Sequence, residues 1–486
     1  MMLEDILKNL KSLGNTKCYE INNEVYTYSQ MYKYVCNMYY YLLENNKEKK
    51  NVIVYGHKDV YMIASFLACS FAGITYVPVD ETMSTNRVNS IISQADPSII
   101  IGDFKNDNVK NISKEKIYYI LSNEPSKNIE KIYMQNEDTY YIIFTSGSTG
   151  RPKGVQVTYE NIDSCVKWLK NITKLEKKII LNQALFSFDL SVADIYLSLS
   201  TGSMHYCLSK NVQNDFKALF EHLGESNANL MVITPSFAEM LLLDKSFNKE
   251  LMKNLNQILF CGETLSSSTV KKLFDRFENL DIINAYGPTE CTFAVTSVHL
   301  SKDMDLTNIS VGIPKDDVEI YIVDEKLNIL TDGEMGEILI SGKSVAKGYL
   351  NDDISNSFCY FNGKKSYLTG DIGYIKEGKL YYKCRKDKQI KYRGYRIELT
   401  DIEKNILKFD FVEKVVVTTK KLSDGRISKI LAFVKTKDGY NNTAEDIRDR
   451  LLSVLPEYMC PVVKMVNEFP LNQNGKCDEK RLVEEY

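Results

Sequence analysis

Short β-favouring runs alternate with longer segments of helical periodicity through the first 380 residues, and this alternation constrains the fold more than any other feature. Strands that alternate with helices form parallel sheets whose two faces are covered by the helices. We therefore predict an α/β fold with a large N-terminal domain of parallel βα sheets. The runs interpreted as strands are 51–55, 99–101, 117–120, 140–144, 229–233, 257–260 and 281–284.

The pattern changes between residues 320 and 382, where shorter strand-like runs are separated by glycines. Closely spaced strands with glycine turns predict a β-rich subdomain. The charged stretch RKDKQIKYRGYRIEL at 385–399 then interrupts the pattern. We place a domain boundary at this stretch, which divides the chain into residues 1–384 and 385–486.

The last hundred residues predict a small α+β domain. Thr400 and Glu403 have the spacing of a capping box, so we expect a helix to begin at Thr400. The pattern after this helix indicates strands at 412–419 and 429–434, and a further helix at 443–455.

Size and charge exclude several classes of protein. A chain of 486 residues, 44% of them hydrophobic, is expected to fold as at least two domains. Lys plus Arg number 61 against 64 Asp plus Glu, so no basic excess favours nucleic acid as a partner. The eleven cysteines contain no C-x-x-C pair, which fits reduced thiols better than a disulfide framework or a zinc site. The N-terminus lacks the features of a signal peptide, and we expect a cytoplasmic protein.

The twenty uncharged residues 60–79 are long enough to cross a membrane. Serines, a threonine and Pro78 dilute their apolar character, and Gly73 has the place of a helix C-terminus before a β-favouring run at 74–77. We therefore predict a buried helix that leads into a buried strand, and no membrane insertion.

The segment TSGSTGRPKG, residues 145–154, follows a predicted strand and suits phosphate. Its glycines let backbone N–H groups turn towards an anion, and its hydroxyls and a lysine add donors. Pro152 and Gly154 stand where a Walker loop requires glycine and Ser or Thr, so a P-loop ATPase is disfavoured. The same composition also suits an ordinary surface turn. The candidate phosphate ligands are Thr145, Ser146, Gly147, Ser148, Thr149, Gly150 and Lys153.

Two further motifs offer groups for the rest of a nucleotide. In NAYGPTE, residues 284–290, the ring of Tyr286 can stack on a base, and Glu290 can hold magnesium through carboxylate oxygen. In YLTGD, residues 367–371, the carboxylate of Asp371 can accept both hydroxyls of a ribose. Each motif alone is also compatible with an ordinary turn.

The motifs together resemble the adenylate-forming enzymes, a family that includes acyl-CoA synthetases, luciferases and the adenylation domains of nonribosomal peptide synthesis. The resemblance covers nearly the whole chain and implies a small, mobile α+β C-terminal domain. It also implies a two-step reaction, in which a carboxylate attacks the α-phosphate of ATP and a thiol then takes the acyl group. Further matching motifs are AGITYVPVD (72–80), FSFDLS (186–191), the charged stretch 385–399, LPEYMCP (455–461) and NGK (474–476).

The resemblance implies roles for individual residues. Lys476 would supply positive charge to the α-phosphate and the substrate carboxylate, and Asp387 would be the hinge of the C-terminal domain. No general base is needed, because a carboxylate is already ionised at pH 7. Cys384 departs from the glycine that is usual in the family. The residues that would bind ATP are the phosphate ligands above together with Asn284, Ala285, Tyr286, Gly287, Pro288, Thr289, Asp371, Tyr382, Arg385 and Lys476.

Asp189 favours an amino acid as the substrate. Members of the family that activate amino acids bind the substrate ammonium with an aspartate at this position, and a buried carboxylate without a cation would be costly. An aspartate before a helix is also a common N-cap. The proline in GPTE, residues 287–290, where many CoA ligases have another residue, favours an amino acid as well.

Longer segments, at 181–196, 234–237, 260–265 and 286–298, resemble the branch of the family that ligates D-alanine to a carrier protein for the D-alanylation of teichoic acids. In that branch the cysteine that matches Cys261 lines the alanine pocket, and we hypothesise that it excludes the L-enantiomer, although free cysteines are often packing residues. Phe293 replaces a smaller aliphatic residue, and its ring is expected to trim the pocket or to turn into the core. The D-alanine site implied by the resemblance is Asp189, Cys261, Phe293 and Lys476.

The resemblance implies ATP, Mg²⁺ and D-alanine as ligands and a carrier protein as the acceptor. No carrier motif follows Lys476, so we expect the phosphopantetheine on a separate carrier protein. Lys388, Lys391, Arg393 and Arg396 are candidates to contact that carrier, or form a solvated charged loop. A freestanding adenylation enzyme for another small amino acid and a non-catalytic nucleotide sensor are the alternatives.

Overall fold

The computed structural model describes residues 1–125, 127–146, 151–351, 357–422, 426–440, 442–470 and 477–485. The chain divides into two compact units. The large unit consists of Met1–Asp80, Ala95–Ile143 and Gly154–Lys386, and the small unit of Glu81–Gln94, Phe144–Lys153 and Asp387–Tyr486. The domain limits 1–384 and 385–486 stay a prediction.

The α-helices within the described ranges are α1 Met2–Ser12, α2 Tyr28–Asn45, α3 Val60–Ala72, α4 Thr85–Ala95, α5 Lys114–Ser122, α6 Tyr159–Thr173, α7 Leu190–Thr201, α8 Lys210–Asn214, α9 Phe216–Ser226, α10 Pro235–Leu241, α11 Ser267–Arg276, α12 Leu399–Leu407, α13 Ala444–Leu452 and α14 Glu479–Glu485. The same ranges contain short 3₁₀ turns at Thr289–Cys291 and Glu457–Met459.

The strands are β1 Lys17–Ile21, β2 Glu24–Thr27, β3 Val52–Gly56, β4 Tyr76–Asp80, β5 Ile99–Ile101, β6 Lys110–Ile112, β7 Thr139–Thr145, β8 Lys153–Thr158, β9 Ile179–Asn182, β10 Met204–Cys207, β11 Leu230–Ile233, β12 Gln257–Phe260, β13 Asp281–Tyr286, β14 Thr296–Leu300, β15 Ile313–Pro314, β16 Val318–Val323, β17 Gly336–Gly342, β18 Gly348–Tyr349, β19 Phe358–Phe361, β20 Lys364–Lys376, β21 Lys379–Arg385, β22 Gln389–Tyr392, β23 Tyr395–Glu398, β24 Val412–Lys421, β25 Ile427–Thr436 and β26 Val462–Met465.

Two largely parallel sheets form most of the large unit. One has the strand order β15-β14-β13-β12-β11-β9-β10-β1-β2, and the other has the order β18-β8-β7-β4-β3-β5-β6. In the first sheet β13, β12, β11, β9 and β10 all run parallel. Their carboxyl ends therefore lie along one edge, where ligands of open α/β sheets bind.

The predicted α/β class is confirmed, and so is the β-rich part, in which β16, β17, β20, β19 and β21 form an antiparallel sheet. The strand predicted at 117–120 is wrong, because these residues lie in helix α5. Ser113 caps the N-terminus of α5 with its hydroxyl, and Ile117, Ile120 and Leu121 are buried on one face. The cap and the helical spacing of apolar residues outweigh the β propensity of this run.

The uncharged segment 60–79 folds as predicted into a helix and a strand. All thirteen residues of α3 are buried, and Gly73 ends the helix with a left-handed φ of 68°. The strand β4 begins at Tyr76 and is also buried. In the part of the chain that the structure describes, no helix combines the length and the apolar character needed to span a membrane.

The α+β pattern predicted for the C-terminal residues is confirmed. The strands β24 and β25 pair antiparallel, and β26, which was not predicted, adds to β25 in parallel. The capping box predicted at Thr400 and Glu403 is wrong. Glu398 is the N-cap of α12, and within this helix, all of whose residues the structure describes, its side chain makes no capping hydrogen bond. Glu403 instead accepts a hydrogen bond from the backbone of Val417 at 2.9 Å, which ties α12 to β24.

The central strand β12 offers a test of this packing. We expect Leu259→Ala to destabilise the protein by about 2–5 kcal/mol, because Leu259 is fully buried and its removal leaves a cavity. Leu243→Ala is the matched control, since Leu243 is 82% exposed. Thermal unfolding of both variants measures the difference, and equal melting temperatures would contradict the placement of β12.

Candidate active site

Asp371 is the centre of a buried polar cluster in the large unit. Its Oδ1 accepts a hydrogen bond from Arg385 Nη1 at 2.9 Å, and its Oδ2 accepts one from the Tyr286 hydroxyl at 2.6 Å. Burial, and then the negative charge of Asp371, raise the pKa of Tyr286 well above its ordinary value. The hydroxyl therefore stays protonated and donates to the carboxylate. Both carboxylate oxygens are held in fixed positions.

The antiparallel pairing of β20 with β21 places these groups together, because Asp371 lies directly opposite Arg385. Arg385 also donates to the carbonyl oxygen of Thr369 at 2.8 Å. The ring of Tyr382 lies 6.2 Å from the ring of Tyr286. The structure thus brings together four residues that the sequence assigned to ATP, and their contact with the nucleotide stays a prediction. Cys384 lies beside them in strand β21, paired with Ile372.

The NAYGPTE segment leaves the sheet at the end of β13. Asn284 is buried, and its side-chain amide donates to the carbonyl oxygen of Ser310 at 2.9 Å, which anchors the strand. Gly287 follows, and a Cβ added there would lie 2.6 Å from Cα of Ala294. Any larger residue at 287 would therefore push this turn apart. Ala285 and Thr289 are buried, and Pro288 precedes the 3₁₀ turn.

Glu290 lies in that turn and is fully buried. The hydroxyl of Tyr349 donates to Glu290 Oε1 at 2.5 Å, and the hydroxyls of Tyr349 and Tyr367 are 3.1 Å apart. The backbone N–H of Ala346 donates to the carbonyl oxygen of Glu290 at 2.8 Å. A buried carboxylate that is oriented in this way suits the predicted magnesium site, since Mg²⁺ prefers oxygen ligands.

Sequence reasoning missed Tyr349. It lies 59 residues from Glu290 and belongs to the two-residue strand β18, which pairs with β8. The only signal in the sequence is its place at the end of the strand-rich part, in the run VAKGYL at 345–350.

Residues 292 and 293 have strained backbone conformations. Thr292 has φ of 59° and Phe293 has φ of 72°, and such left-handed values are uncommon for bulky residues. The Thr292 hydroxyl donates to the carbonyl oxygen of Ser344 at 2.9 Å. Cys261 Sγ lies 3.9 Å from the carbonyl oxygen of Phe293, so the two predicted pocket residues are neighbours. The ring of Phe293 is only 1% exposed.

Asp189 directly precedes helix α7. It occupies the N-cap position with helical φ and ψ, and its side chain makes no capping hydrogen bond in this fully described helix. Burial and then Asp189 raise the pKa of Tyr141 well above its ordinary value. The hydroxyl of Tyr141 is buried and has no hydrogen-bond partner among the described residues. Although Asp189 stands at the N-cap position, its side chain does not cap helix α7, which was the alternative role suggested by the sequence.

Three of the predicted phosphate ligands, Thr145, Ser146 and Lys153, lie among the described residues, and all three belong to the small unit. Thr145 is the last residue of β7, Ser146 is buried, and Lys153 is the first residue of β8. The hinge candidate Asp387 accepts a hydrogen bond from the backbone of Gln389 at 3.1 Å. Outside the described residues lie Gly147, Ser148, Thr149, Gly150 and Lys476.

Two family models match this chain. Residues 9–350 match the AMP-binding enzyme family, and residues 401–476 match the AMP-binding enzyme C-terminal domain. The chain belongs to the AMP-binding enzyme family. As a member of this family it uses ATP.

Curated relatives match nearly the full length of this AMP-binding enzyme. The D-alanine--D-alanyl carrier protein ligase of Bacillus licheniformis is 39% identical over 453 residues, which cover 89% of each chain. The ligase of the same name from Listeria welshimeri is 37% identical and 96% of each chain is covered. Among solved structures, the adenylation domain AlmE of Vibrio cholerae in complex with glycyl-adenosine-5'-phosphate has a TM-score of 0.84 at 20% identity, over 100% of this chain and 97% of that chain. At this identity the likeness shows the fold alone.

The contact between Tyr349 and Glu290 generates a prediction. If Glu290 holds magnesium as predicted, Tyr349→Phe should raise the Mg²⁺ concentration for half-maximal ATP–pyrophosphate exchange roughly tenfold, because a hydrogen bond to a charged group is worth about 1.5–3 kcal/mol. Binding of Mn²⁺ in the presence of ATP gives a second measurement that does not depend on turnover. Tyr360→Phe is the control, since Tyr360 is exposed. An unchanged metal requirement in Tyr349→Phe would show that Tyr349 does not act through Glu290.

Proposed function

We propose that this protein activates D-alanine with ATP and transfers it to a carrier protein. The carboxylate of D-alanine attacks the α-phosphorus of ATP, an oxygen–phosphorus bond forms, and the bond to the leaving pyrophosphate breaks. The phosphopantetheine thiol of a separate carrier protein then takes the D-alanyl group and releases AMP. The observation that carries this proposal is the 37–39% identity, over 89–96% of this chain, to relatives named as D-alanine--D-alanyl carrier protein ligases.

The chemistry of the site supports the first step. The substrate carboxylate is ionised at neutral pH and needs no general base, so the protein has to supply position and positive charge. We assign the ammonium of D-alanine to Asp189 and the developing charge at the α-phosphate to Lys476. We assign the β- and γ-phosphates to the segment 145–154 that contains Lys153, and the ribose to Asp371.

We also propose that Glu290 holds the Mg²⁺ that accompanies ATP. The ion would neutralise charge on the phosphates. The contribution of the protein is to hold the carboxylate in one orientation through Tyr349. We further propose that the enzyme works in the cytoplasm and that the charged carrier feeds the D-alanylation of teichoic acid.

The substrate can be tested with a panel of amino acids. We expect ATP–pyrophosphate exchange to be fastest with D-alanine, and Asp189→Asn to lower kcat/KM for D-alanine about tenfold to a hundredfold, because a charge-assisted contact with the ammonium becomes a neutral one. The KM for ATP should change little. Exchange with L-amino acids alone would support the alternative, a freestanding adenylation enzyme for another small amino acid. Exchange without any amino-acid dependence would contradict both.

Phe293 can be tested for a role in selecting the size of the substrate. We expect Phe293→Ala to raise the ratio of kcat/KM for D-2-aminobutyrate to that for D-alanine about fivefold or more, because a methylene accommodated in an apolar pocket is worth roughly 1–3 kcal/mol. Phe277→Ala is the matched control, since Phe277 is buried in a different apolar cluster. An unchanged ratio would show that the ring belongs to the core and not to the pocket.

A further inference from the structure

A buried lysine, Lys58, bridges the ends of strands β9 and β10, next to the segment 183–194 that carries Asp189. Lys58 follows β3, is fully buried and has a left-handed φ of 53°. Its Nζ donates to the carbonyl oxygens of Gln183 and Leu208, both at 2.8 Å. These carbonyls immediately follow β9 and β10, which are parallel neighbours. One ammonium therefore holds both strand ends.

A neutral donor binds the same two oxygens. Gln213 Nε2, from helix α8, donates to the carbonyl oxygen of Gln183 at 3.1 Å and to that of Leu208 at 2.8 Å. Each carbonyl thus accepts one hydrogen bond from an amide and one from an ammonium. The two donors can therefore be compared directly, because the ammonium of Lys58 can lose a proton and the amide of Gln213 cannot.

A second buried contact closes the same segment from its other end. Asp194 lies in the second turn of α7, and its Oδ2 accepts a hydrogen bond from Asn182 Nδ2 at 2.8 Å. Its Oδ1 lies 3.1 Å from His205 Nε2. The ring of Phe186 stacks on His205, with centroids 6.1 Å apart. Residues 183–194 are therefore tied back to β9 and β10 at both ends.

Asp189 lies between these two anchors. It is six residues after Gln183 and five before Asp194. We propose that Lys58 is a positioning residue: with Asp194 it fixes the segment 183–194 so that Asp189 meets the ammonium of the substrate. This inference rests on the proposed function, because it assigns the ammonium contact to Asp189.

A purely structural role explains the lysine less well. Burying a charge is expensive, and well-packed apolar side chains commonly replace buried charges without loss of stability. Burial lowers the pKa of Lys58 to about 8, although Cys207, Asp194 and Asp80 oppose this shift. Among the described residues, other titratable groups near Lys58 include its chain neighbours His57 and Asp59. They also include Tyr19, whose hydroxyl donates to the carbonyl oxygen of Lys58, and His205, which pairs with Asp194.

A rise in pH is expected to change substrate affinity and folding stability in opposite directions, and this difference distinguishes a positioning role of Lys58 from a structural one. Below about pH 8 the ammonium of Lys58 is charged and donates strong hydrogen bonds to both carbonyl oxygens. Above that pH the group loses its charge, and these hydrogen bonds become weaker. A lysine whose pKa is lowered on folding opposes folding while it is charged, and this penalty falls as the pH rises. Between pH 8 and 10 the stability of wild type relative to Lys58→Met should therefore rise, while its affinity for D-alanine falls.

The experiment measures steady-state ATP–pyrophosphate exchange with D-alanine for wild type, Lys58→Met, Lys58→Arg and Gln213→Leu. At pH 7 we expect Lys58→Met to raise the KM for D-alanine about tenfold and the KM for ATP less than about twofold, as for the loss of a charge-assisted hydrogen bond. Gln213→Leu should have a smaller effect and keep the pH dependence of wild type. Lys217→Met is the matched control, since the side chain of Lys217 is 86% exposed.

The pH profile of the KM for D-alanine decides the role of the charge. Wild type should show a rise near pH 8 that Lys58→Arg lacks, because a guanidinium stays protonated. The substrate ammonium titrates identically in both proteins and cancels in the comparison. If Lys58→Met does not fold, wild type and Lys58→Arg still give this result.

Three outcomes are distinct. No D-alanine-dependent exchange by wild type would refute the proposed function. An active wild type with an unchanged KM for D-alanine in Lys58→Met, or with parallel losses for ATP and D-alanine, would overturn the positioning role. The same pH dependence of the KM for D-alanine in wild type and Lys58→Arg would show that the charge of Lys58 does not act on the substrate site.

Discussion

The parallel pairing of β9, β11, β12 and β13 is the constraint on which the candidate site depends. In this register Asn182 lies opposite Val232, and Phe260 lies opposite Asn284, so the strands end at one edge of the sheet. Parallel strands buried on both faces leave this edge as the place where polar groups can meet a ligand. The segments that carry Asp189, Cys261 and Tyr286 start there, although nearly a hundred residues separate the first from the last.

Buried charge is the second constraint, and the protein satisfies it with partners that are remote in sequence. The carboxylate of Asp371 is held by Arg385 and Tyr286. Glu290 is fully buried and accepts a hydrogen bond from Tyr349. An ionised group that loses its partner in a low-dielectric interior destabilises the protein more than an exposed one does. The residues that orient these carboxylates are therefore as much a part of the site as the carboxylates themselves.

The sequence predicted those features that are local in the chain. The α/β class and all but one of the individually predicted strands follow from local patterns. The assignment of Tyr286, Asp371, Tyr382 and Arg385 to one nucleotide site comes from the family resemblance. Contacts between distant segments could not be predicted, because no periodicity links Tyr349 to Glu290, or Lys58 to Gln183 across 125 residues. Local rules also failed where tertiary contacts or a cap outweighed them, as at 117–120, which is helical, and at Glu403, which contacts β24 instead of capping α12.

The left-handed backbone at Thr292 and Phe293 shows how remote contacts support a local geometry. Each such residue costs about 1–3 kcal/mol and persists only where its surroundings fix it. Here the Thr292 hydroxyl binds the carbonyl oxygen of Ser344, and the backbone N–H of Val295 binds the carbonyl oxygen of Tyr286. Gly287 allows the close approach that closes the loop. The carbonyl of Phe293 is therefore directed at Cys261 by contacts from residues that are distant in the sequence, and changes at those residues would alter the position of this loop.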